Sequence, residues 1–254
     1  MAVERTSGVD TEVALEFMRE ILSRLDSADL SAMTADLEAK SCWARQLLDD
    51  QVGRSPDDPD AGQAAYRLLR AFFPSRRRAR EMVEVLGGAP LLGATRQLVN
   101  GEGTVGDRVE SFVSNLAPFE EVAADLSWEL LHLHDPSRYW LWNRWVWSEK
   151  TETGALRLLT SEDVDLWGEN PFDTYQKVGA AMAVVHDTVR ALGMVEESPY
   201  GLDVFLANVY GVYMYTVLRM RMSQEFNRIV PELPSLARRL LGIHERVWEE
   251  SRCR

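Results

Sequence analysis

The sequence predicts a mainly α protein: an irregular multi-helix domain around a buried central helix at 203–226, with a small β-hairpin near 139–160. Three observations carry this. Apolar residues recur at three- and four-residue spacing in segment after segment. The stretch "LDVFLANVYGVYMYTVLRMRM" at 202–222 is apolar nearly all round, the pattern of a helix with no face to give to water. Two β-favouring runs flank a turn-like "EKTETG" only between "YWLWNRWVW" and "ALRLL".

Taken in order, "TEVALEFMREILSRLD" places Val13, Ala14, Phe17, Met18, Ile21, Leu22 and Leu25 on one helical face, with Asp10 or Thr11 as the cap. The same period predicts helices at 33–50, 61–73, 76–86, 90–100, 107–115, 118–134, 173–192, 203–226 and 235–250. Between them, "QVGRSPDDPDAG", "NGEGTVGD" and "VPELP" carry the glycine, proline and aspartate of loops. No segment repeats at a fixed period, which excludes a solenoid. The expected organisation is one helical domain over 1–254, with two lobes, 1–100 and 101–254, as the alternative.

At 254 residues, 46% of them hydrophobic, the chain can bury a large core. Its 40 acidic against 28 basic residues give a formal charge of −12, which repels a phosphate backbone and makes nucleic acid a poor partner. The beginning, "MAVERTSGVDTEVALEF", has glutamates and no apolar run of signal type, and two cysteines, Cys42 and Cys253, make neither a disulfide framework nor a metal spacing. A cytoplasmic location is expected. Asp203, Asn208 and Arg219 within the apolar helix argue against a membrane span.

"HLHDPSRYWLWNRWVW" at 132–147 raises the question of a metal. On a helix, His132 and His134 lie about 200° apart and cannot ligate one ion. Glu129 and His132 form an E-x-x-H, the unit that di-iron bundles use twice, but no second copy exists. No metal is expected: Asp125, Glu129 and His132 are placed on a solvated face, and Val122, Leu126, Leu130 and Leu133 on the core. Pro136 ends this helix. Trp140, Trp142, Trp145 and Trp147 read first as a core layer. The alternative is an aromatic-walled pocket with Tyr139, Asn143 and Arg144 at its rim, Arg144 offering a fork to an anion. In an extended chain, Trp140, Trp142 and Arg144 share one face, and Asn143, Trp145 and Trp147 the other.

Polar residues on the central helix need partners inside the protein. At about 100° per residue, Asn208, Tyr215 and Arg219 share a stripe, and Asp203, Tyr210 and Arg221 a second. Such a stripe is a structural network or the floor of a ligand cavity. His186 sits beside Val178, Met182, Val185 and Val189 as a core-edge residue or a member of that cavity. The run "PSRRRAR" concentrates Arg76, Arg77, Arg78 and Arg80 in an acidic chain, either as a solvated helix start or as a docking patch for an acidic partner. There is no Gly-rich phosphate loop, no G-x-S-x-G and no zinc signature.

"DPSRYWLWN" resembles P-x-x-Y-x-L-W-N segments of uncharacterised defence-type proteins. Over its whole length, with "HDPSRYWLWNRWVW" and "NPFDTYQKVGAAMAVVHDTVRAL" as its most recognisable parts, the chain resembles the larger subunit of the aziridine-forming enzymes of azinomycin-type biosynthesis. That resemblance implies a cofactor-free enzyme with a small second subunit, in which an amine displaces a neighbouring sulfate ester on a substrate held by an acidic carrier protein. It brings no signature residues, so roles are assigned by chemistry. Asp26, His186 or Asp203 would take the amine proton. Arg144 or Arg219 with Tyr215 would receive the sulfate, Tyr139 and Asn208 would complete the substrate site, and Arg76, Arg77, Arg78 and Arg80 would meet the carrier. The competing expectations are a non-catalytic helical ligand- or partner-binding protein and a defence-system subunit.

Overall fold

The computed structural model describes residues 8–50, 60–195, 197–222 and 231–244, with the side chains of 218–222 outside the description. The described residues form eleven α-helices and one short 3-10 turn, with no strand among them. The chain clusters into two compact units. Unit 1 takes Met1–Thr34 and Arg144–Leu240, and unit 2 takes Ala35–Asn143 and Leu241–Arg254.

Unit 1 holds α1 (Thr11–Leu22), the beginning of α2 (Ser27–Asp49), α8 (Ala155–Leu159), α9 (Pro171–Ala191), α10 (Gly201–Met222) and α11 (Leu233–Leu240). Asp10 caps α1 by accepting from the Val13 N–H at 3.1 Å, one of the donors the first turn would otherwise leave unpaired. Asn170 does the same for α9, accepting from Phe172 and Asp173 ahead of a helix that starts on Pro171. α10 packs against α1, α8 and α11. Every residue from Gly201 to Val209 is buried, whereas Tyr213, Met214, Tyr215 and Thr216 are partly or well exposed. The all-apolar pattern therefore corresponds to full burial only in the first half of the helix. Gly211 lets α11 close in, since a Cβ there would meet Leu233 Cδ1 at 2.7 Å.

Unit 2 holds the rest of α2, then α3 (Asp60–Ala71), α4 (Ala79–Leu86), α5 (Gly88–Asn100), α6 (Val105–Asn115), the 3-10 turn Ala117–Phe119 and α7 (Glu120–His134). α3 and α5 meet where Gly88 lies against Gly62, so close that a Cβ on Gly88 would stand 2.5 Å from the Gly62 backbone. A capping box starts α6: Thr104 accepts from the Asp107 N–H, and the Asp107 carboxylate accepts from the Thr104 N–H.

Two expectations are corrected here. α7 has no solvated face at Glu129 and His132, because the helix is buried all the way round from Leu126 to Leu133, with Glu129 at 3% and His132 at 2% exposure. The spacing already held the reason: Glu129 lies seven residues after Val122 and three after Leu126, on the core stripe itself. The hairpin is also absent. Residues 149–152 form a loop closed by a single antiparallel bridge, Ser148 with Thr153. The returning chain then bonds through Ala155 N to Trp145 O (2.9 Å) and Leu156 N to Val146 O (3.1 Å), and turns at once into α8. Burial alternates only as far as Trp145, with Leu141, Asn143 and Trp145 buried and Trp140, Trp142 and Arg144 half-buried or exposed; it stops at the turn over 143–146, where Val146 is buried along with Trp147.

Candidate functional site

In unit 1 the start of α10 forms one wall of a small cleft of about 40 Å³, partly open to solvent. Met18 and Ile21 of α1, Leu30 and Thr34 of α2, Met194 and Val195 after α9, and Gly201, Val204, Phe205 and Asn208 of α10 line it. The wall is apolar except for Thr34 and Asn208. The Asn208 amide is wholly buried, and its Nδ2 donates to Val204 O at 2.8 Å and faces Met33 Sδ at 3.8 Å. Because a carbonyl oxygen can only accept, its partner in the amide must be the NH2 group, and that bond fixes the amide orientation and leaves Oδ1 as the other atom. Oδ1 is buried with no hydrogen-bond partner. Thr34 Oγ1 donates to Leu30 O at 3.2 Å, which keeps its lone pairs for accepting. Both polar lining residues therefore keep an acceptor, Asn208 Oδ1 being enclosed within the wall, and no carboxylate, arginine, lysine or histidine is among the lining residues.

The other residues singled out from sequence do not converge on this cleft. Asp26 is exposed and exchanges hydrogen bonds with Asp29 at the start of α2, its Oδ1 accepting from Asp29 N at 2.8 Å. His186 is partly buried on α9, its Nδ1 3.4 Å from Asp187 Oδ1. Asp203 is buried at 2% exposure and makes interactions of its own; five residues before Asn208, it falls about 140° around the axis from it. Tyr215 lies under the Arg24 guanidinium, 4.5 Å from ring centre to Cζ. Arg24 is held above its ordinary range by the hydrogen bonds it donates to Glu20 and Tyr215. Arg144 is exposed, and the side chain of Arg219 lies outside the described residues. Of the proposed site residues whose side chains are described, only Asn208 lines the cleft.

Tyr139 serves a structural network in unit 2. Its hydroxyl accepts from Arg108 Nη2 at 3.0 Å, while Arg108 Nη1 donates to Leu98 O and Val99 O at the end of α5, where a cation suits the helix dipole. His132 Nδ1 lies 2.7 Å from Tyr139 O. In unit 1, Trp147 meets Trp167 edge to face at 5.9 Å and carries Arg157 over its ring, so it belongs to the core layer.

Sequence reasoning missed a buried ion pair in unit 2. Lys40 of α2, fully buried, donates to Glu129 Oε1 at 3.2 Å and to Leu241 O at 3.0 Å, over the Phe72 ring. Burial pushes the Glu129 carboxyl up, and Lys40 opposes that shift. Gly242 closes over the amine at φ +67°, where a Cβ would stand 2.8 Å from Nζ. The signal was present: Met33, Leu37, Lys40, Ala44 and Leu47 follow the core period, which puts a lysine on an apolar stripe.

Among the described residues, no group of three or more His, Cys, Asp or Glu side chains is placed to hold a metal ion. No described helix is long and apolar enough to cross a membrane. Cys42 is disulfide-bonded, and Cys253 lies outside the described residues. Comparison with protein-family models, with curated proteins and with solved structures finds no match.

Proposed function

We propose that this protein binds a small molecule in unit 1, with the cleft at the start of α10 as its ligand site. The observation that supports this reading is Asn208 Oδ1, a buried acceptor with no partner, at the wall of an otherwise apolar cleft. A ligand donor that pairs with this acceptor contributes about 0.5–1.5 kcal/mol net, the scale of one hydrogen bond exchanged with water. Titration with a small-molecule library, followed by melting temperature, tests it. Hits that raise the melting temperature of the parent protein and not of Asn208→Leu support the reading. Hits indifferent to Asn208 count against it.

The resemblance supports a separate reading that does not use this cleft: formation of an aziridine ring in antibiotic biosynthesis, without metal or cofactor, with a small second subunit and an acidic carrier protein, in the cytoplasm. The amine nitrogen forms a bond to the neighbouring carbon as the carbon–oxygen bond to sulfate breaks, sulfate leaves with its electron pair, and the nitrogen of the protonated ring then gives up its proton to water. Orientation of the two groups supplies most of the acceleration such a step needs. The arginine run favours the carrier part of this reading. Arg76 stacks on Phe73 and Arg78 is bound by both Glu81 oxygens, whereas Arg77 and Arg80 are exposed. Incubation of the protein and its small partner with a carrier-bound vicinal amino sulfate ester tests the chemistry: release of sulfate with ring closure supports it, and an unchanged ester rejects it.

A further inference from the structure

We propose that the unit 1 cleft selects the neutral hydrogen-bond donor end of an apolar ligand, an alcohol or an uncharged amine, and rejects carboxylates and ammonium ions. This rests on the ligand-site reading and narrows it to a chemical class. The walls are the reason. An anion entering the cleft meets two acceptors, Asn208 Oδ1 and Thr34 Oγ1, and no cationic lining residue. An ammonium entering it meets the right acceptors but no carboxylate to offset the loss of its hydration. A neutral O–H or N–H satisfies Oδ1 and keeps its apolar body against Met18, Ile21, Val204 and Phe205. A volume of about 40 Å³ exceeds what one water needs, so the cleft holds a short head group while the rest of the ligand extends outward.

The test is a titration of the full-length protein carrying 13C-labelled methionine methyls, because Met18 and Met194 both line the cleft. The probes are 1-propanol, propylamine, propionate and 1-chloropropane, each added to the parent, to Asn208→Leu and to Met18→Trp, which fills the cleft without touching the amide. Saturable shifts of the Met194 methyl are expected with 1-propanol and with propylamine, the amine binding more tightly as pH rises toward its own pKa and the alcohol independently of pH. Asn208→Leu should weaken 1-propanol about fivefold, the scale of one lost hydrogen bond, and Met18→Trp should abolish binding. Should Asn208→Leu fail to fold, Thr34→Val removes the second acceptor and Met18→Trp still reports the place of binding. Propionate binding best, or 1-chloropropane binding as well as 1-propanol in the parent, overturns the selectivity and leaves the ligand site standing. No shift with any probe overturns both.

Discussion

The smallest features decide most in unit 2. Lys40 and Glu129 are charged residues on apolar helical stripes, and such residues survive burial only as partners. Removing one leaves the other as an unpaired buried charge, so Lys40→Met should cost about 3–5 kcal/mol, while Lys40→Met combined with Glu129→Leu should recover most of it. Urea denaturation of the two variants and the parent checks this. His134 gives a pH dependence. Burial, first, and the charge of Arg45 hold its pKa below the ordinary 6.5, so the fold favours the neutral ring. Its contribution is present above about 6.5, the unfolded value, and is lost as pH falls from there through the lowered folded value. Melting temperature between pH 7 and pH 5 should fall less steeply in His134→Gln than in the parent. At this scale the signal was present at Lys40, a lysine on an apolar stripe, but sequence reasoning passed over it and placed Glu129 on a solvated face. The sequence was not legible for Tyr139, in the irregular chain after α7, whose partner Arg108 lies 31 positions away on α6.

Helix existence was legible because a 3.6-residue period survives in nearly every segment, and Asp10 and Asn170 mark their starts through side chains suited to orphan N–H groups. Asn170→Ala should cost about 1 kcal/mol, seen as a lower urea midpoint. The close contact of α3 and α5 was not legible, because "GG" at 87–88 reads equally as a turn. The structure uses Gly88 for backbone approach, so Gly88→Ala should force the helices apart and destabilise by about 1–3 kcal/mol in the same urea experiment. The hairpin expected near 139–160 failed for a related reason. Alternating aromatic residues report alternating burial, and that pattern does not require a partner strand.

At the scale of the whole molecule, periodicity conveyed the fold class, but the division of the chain could not be read from composition. The breaks fall inside α2 after Thr34, between Asn143 and Arg144, and after Leu240, none of them at the glycine- or proline-rich segments that punctuate the sequence. The candidate site divides in the same way. Asn208 was visible because an amide on an all-apolar helix must find a partner, while Met18 read as one residue of an apolar stripe and Thr34 and Met194 carried no signal until three separate segments brought them to one cleft. The measurement that bears most directly on the central claim is a crystal structure of the protein soaked with 1-propanol. The account predicts density for the alcohol in the cleft, its oxygen within hydrogen-bond distance of Asn208 Oδ1. A cleft closed by the Met18 and Met194 side chains, with Oδ1 bonded to a protein donor, would contradict it.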